Sequence, residues 1–403
     1  IKTIFQPTSG SCFVFFHNCV LSPFKFTENL QHLYCMKTTF AEILSGYDAG
    51  IRRKFESKLP HWAEAGCSIP GTLALEQCSS EAAAMYKASF TSGFLCDLTG
   101  GMGVDSWAFS QVCKRVIYNE RDAGLAAAAE KNFKLLGANN IECICREIST
   151  DVIIPQCDWI FIDPARRSAS GRKVFLLEDC TPDINLLLPT LRLCAPNIMI
   201  KLSPMADITM IAAKLGNGLK EIHVVGLGGE VKELLCILEK GFRGEYTITA
   251  ADPDSGKKFS FKPSEEAGAS LNPDAEIYEG ATLFEPSSIL MKAGAFKLIG
   301  LPKLAKSTHL YIGETELPGR NYRIVASLPL CKESFRTIQE RWREAEVTAR
   351  NIPMTSEELK TRLKVKPGGK NHIFGVTARN GRILIITEPL SKQHPGPEIV
   401  SGL

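Results

Sequence analysis

From Phe94 to about Leu238, short apolar runs alternate with helix-length segments. The runs read as strands at 94–98, 115–119, 141–145, 158–162, 197–202, 221–226 and 233–238. Helix-length spacers between the earlier runs predict βαβ crossovers and a mainly parallel sheet. The last two runs are joined by Gly226-Leu-Gly-Gly-Glu-Val, too short for a helix, so they should pair as a hairpin. Upstream, Phe40, Ile43 and Leu44, then Ile51 and Phe55, share helical spacing, and residues 38–90 read as helical. Ser79-Ser80-Glu81 is placed to cap a helix from Ala82 to Phe90. Downstream, Asp252-Pro-Asp-Ser-Gly256 marks a boundary, followed by polar, turn-rich sequence to Pro273. A small mixed segment follows over 275–310. A charged helix is expected from Lys332 to Arg350, then a second one capped at Ser356-Glu357-Glu358. Strands at 373–377 and 382–386 complete a small α+β unit.

The first strand opens the most informative stretch, Asp97-Leu-Thr99-Gly100-Gly101-Met-Gly103-Val-Asp105, and Glu120 ends the second strand. An acid, a glycine-rich turn, a helix and a second acid about 20 residues on are what a nucleotide-binding βαβ unit needs. Dinucleotide and adenosylmethionine sites both fit this order. Asp97, just before the glycines, would repel a pyrophosphate but suit an ammonium, and the closing hairpin weakens a dehydrogenase reading. The fourth strand ends in Asp163-Pro164-Ala165-Arg166-Arg167 and the next in Lys201-Leu-Ser-Pro204, at the carboxyl edge where such sheets bind ligands. Leu75 to Ser80 either borders this pocket or is a helix-capping loop.

With these motifs and Leu283-Phe-Glu-Pro286…Lys292-Ala-Gly294, the chain resembles the class I S-adenosylmethionine-dependent methyltransferases. More narrowly, it is similar to the bacterial group whose methyltransferase domain is followed by a ferredoxin-like segment and a THUMP-like domain. The resemblance implies an α/β fold with a Rossmann-like sheet, N-terminal helices and a small C-terminal α+β domain. It divides the chain into 36–92 (helical), 93–248 (methyltransferase), 249–310 (ferredoxin-like) and 311–403 (THUMP-like). It implies S-adenosylmethionine as cofactor, held by Asp97, Thr99, Gly100, Gly101 and Gly103 at the methionine end. Glu120 would take the ribose hydroxyls, and Glu147 the adenine amino group.

The candidate catalytic loop is Asp163, Pro164 and Arg166. A carboxylate and a backbone carbonyl can accept the two hydrogens of an exocyclic base amine and orient its nitrogen. Ala165 and Arg166 stand where amino-methyltransferases often have a second proline and an aromatic ring; a guanidinium can stack on a base or pair with phosphate. Arg166 and Arg167 could instead pair structurally with Glu178 or Asp179. Neither Asp163–Arg167 nor Lys201–Pro204 contains the cysteine that carbon-5 pyrimidine methylation requires. The expected activity is methylation of a base nitrogen in rRNA or tRNA. Two alternatives stand: a protein or small-molecule methyltransferase, and an RNA-binding protein that keeps the fold without catalysis.

Composition sharpens this picture at three points. The 14 cysteines are scattered, and Cys143 and Cys145 lack zinc-ligand spacing, so most read as buried thiols in a reducing, cytoplasmic compartment. No histidine cluster points to a metal. Net charge is +3, but from Leu301 onward there are 17 Lys+Arg against 10 Asp+Glu, a local +7 that suggests an anionic partner. The strip Lys360, Arg362, Lys364, Lys366 and Lys370 could track a phosphate backbone, and as the candidate RNA contact it points to RNA as partner; a solvated face is the alternative. Residues 1–35, with six phenylalanines and no convincing element, read as an extension upstream of a natural start at Met36, or as an irregular arm.

Overall fold

A computed structural model describes residues 48–150, 152–166, 180–272 and 275–390. The expectations for residues 1–35, for a start at Met36, and for pairing of Arg167 with Glu178 or Asp179 lie outside the described residues, as does the Arg166 side chain.

Four short helices come first: α1 (Ala49–Lys58), α2 (Pro60–Glu64), α3 (Thr72–Gln77) and α4 (Glu81–Ala88). The Ser80 hydroxyl accepts from Ala83 N and caps α4 as its position predicts. Phe55, Leu59, Trp62 and Leu75 from these helices are buried against Val116, Tyr118 and Phe161 on one face of the following sheet. The helical region therefore forms one wall of the domain core rather than an appendage.

The sheet contains β1 (Phe94–Asp97), β2 (Arg115–Asn119), β3 (Ile141–Ile144), β4 (Trp159–Ile162), β7 (Asn197–Leu202), β8 (Leu219–Leu227), β9 (Glu230–Glu239), β10 (Thr247–Asp252) and β11 (Lys257–Phe261). The intervening β5 (Ala165–Arg166) and β6 (Cys180–Thr181) pair only with each other. Strand order is β11-β10-β8-β9-β7-β4-β1-β2-β3. From β3 to β7 all pairings are parallel, and β9 lies antiparallel between β7 and β8. The short Leu227–Glu230 turn forces that hairpin, as the sequence pattern required. Helix α5 (Val104–Ser110) follows β1, α6 (Ala123–Leu135) follows β2, α7 (Ile184–Cys194) precedes β7, and α8 (Ile208–Leu215) follows it. The parallel register brings the carboxyl ends of β1, β2, β4 and β7 to one edge.

Two expected boundaries move. Strands β10 and β11 extend the first sheet to Phe261, so residues 249–261 belong with it and not with the ferredoxin-like segment. After the short α9 (Pro263–Gly268), β12 (Thr282–Pro286), β13 (Lys303–Ala305) and β14 (Thr308–Ile312) join the C-terminal strands in a single seven-stranded sheet. That sheet also contains β15 (Gly319–Pro329), β16 (Glu344–Arg350), β17 (Lys366–Ala378) and β18 (Gly381–Pro389). The expected Lys332–Arg350 helix stops early, at Arg341 (α11, Lys332–Arg341), and Glu344–Arg350 is a strand paired with β17. Its residues alternate with a period of two, Ala345 inward and Glu344 and Glu346 outward, which a Glu- and Arg-rich composition disguises as helix. Helix α12 (Ser356–Leu363) carries a Thr355/Glu358 capping box.

The two sheets share a core. Helix α10 (Ser288–Ala293), between β12 and β13, buries Ile289, Leu290 and Ala293 with Val224, Leu234 and Ala250 of the first sheet. The Ser288 hydroxyl donates to Gly229 O at the β8–β9 turn, and Lys292 Nζ donates to Ala206 O. Among the described residues no helix is long and apolar enough to cross a membrane.

Candidate active site

A cavity of about 810 Å³ lies at the carboxyl edge of β1, β2, β4 and β7. Its wall includes Thr99 to Asp105, Glu120 to Asp122, Arg146 to Ile148, Asp163 to Ala165 and Lys201 to Pro204. Gln77, Cys78 and Ser79 close one side, so the loop after α3 borders the cavity as well as capping α4.

The glycine-rich turn is shaped from beneath. A Cβ on Gly100 would stand 2.1 Å from the Tyr118 ring, and one on Gly103, at φ 92°, 2.6 Å from Phe133. Those two glycines are required by packing against β2 and α6. Gly101 differs: its Cβ position meets nothing within 4 Å, which leaves backbone open to the cavity. Tyr118 Oη donates to Gly101 O, and Gly101 N donates to Glu120 Oε2 at 2.9 Å. Glu120 Oε1 accepts from Asp122 N, so this carboxylate fastens the turn to the end of β2 while standing on the wall.

Asp97 sits elsewhere than the sequence suggested. It is fully buried beneath the turn and does not line the cavity. Its Oδ2 accepts from the Ser106 hydroxyl at 2.5 Å and its Oδ1 from Thr99 N at 3.1 Å. Burial pushes its carboxyl up to about 7, against the pull of those two donors. Asp97 therefore braces the turn from inside. Thr99 makes the next link, its hydroxyl accepting from Asp163 N at 2.6 Å and joining the two loops. Glu147 is on the wall but mostly exposed, with Arg121 at 3.8 Å.

Asp163 stands half-buried at the end of β4, and Pro164 is buried beside it. Asp163 Oδ2 accepts from Lys201 Nζ at 2.5 Å; among the described residues no donor reaches Oδ1. Arg166 lies on β5, its backbone paired with Cys180. Lys201 begins a buried ionic chain that no motif announced. Its Nζ is 3.9 Å from Glu233, Glu233 accepts from Lys87 Nζ at 2.7 Å, and Lys87 lies 3.1 Å from Asp105. Ser79 bridges the same groups, accepting from Lys87 and donating to Asp105. Burial works against the Lys201 cation, but the carboxylates of Asp163, Glu233 and Asp105 outweigh it and raise its pKa above the ordinary lysine value. The one available signal was Lys201 itself, a charge inside the apolar run Ile198-Met-Ile-Lys-Leu202.

The basic strip is distant in sequence and on the second sheet. Arg362, Lys364 and Lys366 are exposed, Lys360 is half-buried on α12, and Lys370 is paired with Glu388 at 3.2 Å. Every cysteine among the described residues is a free thiol.

A ferredoxin-like domain model matches residues 283–318 and a THUMP domain-like model matches 319–389. The second sheet therefore carries both matched domains, and the boundary between them falls at the start of β15. Comparison with the curated proteins found no match. Among solved structures, the chain is similar to a candidate methyltransferase from Porphyromonas gingivalis W83. The identity is 28% and the TM-score 0.76, over 91% of this chain and 100% of that one. It also matches TrmN from Thermus thermophilus (16% identity, TM-score 0.33, 41% of this chain and 51% of that one). A dimethyladenosine transferase from Plasmodium falciparum matches at 13% identity and TM-score 0.29, over 39% and 60%. On its sheet order, its two matched C-terminal domains and its likeness to the Porphyromonas protein over 91% of this chain, the protein has the Rossmann-like fold of class I methyltransferases and carries ferredoxin-like and THUMP-like domains in its second sheet.

Proposed function

We propose that this protein transfers a methyl group from S-adenosylmethionine to a base nitrogen of rRNA or tRNA. The observation that carries the reading is Asp163, at the mouth of the sheet, with one oxygen tied to Lys201 and the other without a donor among the described residues. The space beside the glycine turn and the acids Glu120 and Glu147 on the cavity wall suit a ligand with a cationic amino-acid end, a ribose and an adenine. Glu120 would accept from the ribose, and Glu147 from the adenine amino group; Thr99, Gly100, Gly101 and Gly103 would line the methionine end. Asp97 acts on that ligand only through the turn it braces. Bound there, S-adenosylmethionine supplies an electrophilic methyl carbon.

The chain's own part is placement of the nucleophile. An exocyclic base amine has its lone pair delocalised into the ring, so the nitrogen must be turned toward the methyl carbon. Asp163 and the Pro164 carbonyl would accept its two hydrogens, and the Lys201 contact fixes which Asp163 oxygen faces the base. Arg166, next on the loop, would stack on or pair with the substrate. RNA as the substrate is supported by the THUMP-like domain and by the basic strip Arg362, Lys364 and Lys366, with Lys360 beside it; Lys370 is the weakest member because Glu388 already pairs with it.

The test compares nucleosides from a deletion strain and its parent by mass spectrometry, then methylates the deletion-strain RNA with purified protein and labelled cofactor. A methylated nucleoside lost in the strain and restored in vitro is expected. Asp163→Asn should bind cofactor normally but restore it slowly. Unchanged RNA in the strain, with no label incorporated in vitro, would refute the reading.

A further inference from the structure

Two loops reach the cavity wall from the β7 and β9 side of the first sheet: Ser203 and Pro204 follow β7, and Lys232 stands just past the β8–β9 turn. The strand order sets them apart from the residues assigned to the cofactor. Those lie at the ends of β1, β2 and β3, whereas β7 is on the other side of β4, next to Asp163.

Both loops are held from outside that sheet by α10, part of the segment that matches the ferredoxin-like domain model. Lys292 Nζ donates to Ala206 O at 2.8 Å, and the Ser288 hydroxyl donates to Gly229 O at 2.7 Å. Ile289, between them in the chain, is fully buried and packs so closely that a Cβ on Gly226 would stand 2.3 Å from it. The loop that Lys292 grips is itself closed. Ala206 N donates to Ser203 O at 3.0 Å and Met205 N to the Ser203 hydroxyl at 3.2 Å, so a donor on the Ala206 carbonyl steadies Ser203 through the turn.

Packing alone would not select a lysine here. Lys292 is half-buried, and desolvation lowers its pKa against a pull from Asp207, so its charge stands there at a cost. A helix C-terminus favours a cation, but an exposed one would serve equally. What the long side chain adds is a donor that crosses to a carbonyl 86 positions away.

We propose that Lys292 is a positioning residue for methyl transfer: through Ala206 it holds the Ser203–Pro204 wall, so that the ferredoxin-like segment completes the substrate side of the cavity. The inference rests on the methyl-transfer reading above and gives a part in the reaction to a segment outside the first sheet.

The test uses the full chain with Lys292→Met, which keeps length and loses the donor, and Lys292→Arg, which keeps a donor. Amide hydrogen exchange followed by mass spectrometry should quicken by about tenfold over residues 203–207 in Lys292→Met and stay unchanged over 94–103. Adenosylmethionine affinity in calorimetry should stay within about twofold of wild type, because the two regions share no contacts. Methylation of deletion-strain RNA should lose about ten- to a hundredfold in kcat, since an error of about 1 Å in placement is enough, and Lys292→Arg should restore most of it. Unaltered exchange or unaltered kcat in Lys292→Met would overturn the proposal. So would a parallel loss of cofactor affinity, or an arginine variant no better than methionine, either of which would make Lys292 a fastener of the two sheets and nothing more. No transfer by the wild type sinks the reading on which the proposal rests, while equal transfer by wild type and Lys292→Met sinks this inference alone.

Discussion

Lys87 offers the sharpest test of how the site is held together. It is fully buried on α4 and reaches Glu233 at 2.7 Å, Ser79 at 2.9 Å and Asp105 at 3.1 Å. Methionine has similar length and volume, so Lys87→Met leaves packing nearly intact, at a cost below about 1.5 kcal/mol. It also leaves Glu233 with Lys201 at 3.9 Å and Asp105 with the Ser79 hydroxyl as their remaining partners, and removing one partner of a buried pair costs about 3–5 kcal/mol. The charge effect should therefore dominate. With a urea m-value of roughly 2–3 kcal/mol/M, the midpoint should fall by about 1–2 M at unchanged m. The double variant Lys87→Met, Glu233→Gln should recover a substantial part of the loss, because one under-compensated buried charge is gone. Urea titration followed by far-UV circular dichroism reads both. A single variant within about 0.3 M of wild type, or a double variant worse than the sum of its parts, would refute the claim that this ion chain supports the fold.

The remaining predictions concern the turn and its ligand. The folded-state pKa of Asp97 is raised to about 7, so the native state holds its proton more tightly than the unfolded chain; stability should fall as pH rises from about 4 to 7 and level off above. At roughly 1.4 kcal/mol per pKa unit the effect is up to about 4 kcal/mol. Asp97→Asn should flatten that slope in denaturation runs at successive pH values, and an unaltered slope would assign it to other groups. Glu120→Ala should weaken adenosylmethionine binding in calorimetry by about 1.5–3 kcal/mol, and equal affinity would remove Glu120 from the ligand site. Gly100→Ala drives a methyl group into the Tyr118 ring and should cost about 1–3 kcal/mol of stability as well as cofactor affinity; a wild-type thermal midpoint would show that Tyr118 can swing away.

Local order was legible wherever it depends on short-range pattern. The alternation of apolar runs and spacers gave the parallel strands, and the short glycine turn after Gly226 gave the hairpin that closes the sheet. Chain position at strand ends placed Glu120 and Asp163 on the cavity wall. The same reasoning misjudged Asp97, because spacing reports where a residue falls on a strand end and not whether its carboxylate turns to the ligand or to Ser106. Residues 344–350 were misread because Glu, Ala and Arg suit a helix by composition, while pairing with β17 makes them a strand. The boundary after residue 248 moved because a strand's sheet is chosen by its partner, and β10 found β8.

What the sequence determined by itself is the βαβ order, the glycine turn and the acids at strand ends, because these depend on side-chain period and backbone freedom within a few residues. Tertiary structure alone decided the rest. Lys87 follows an alanine-rich run and reads as an ordinary surface lysine until folding brings Glu233, 146 positions away, to 2.7 Å. Arg343 and Lys366 become neighbours only through the pairing of β16 with β17. A charge buried or gathered into a patch costs free energy set by its neighbours in space, and no local pattern in the chain records who those neighbours are.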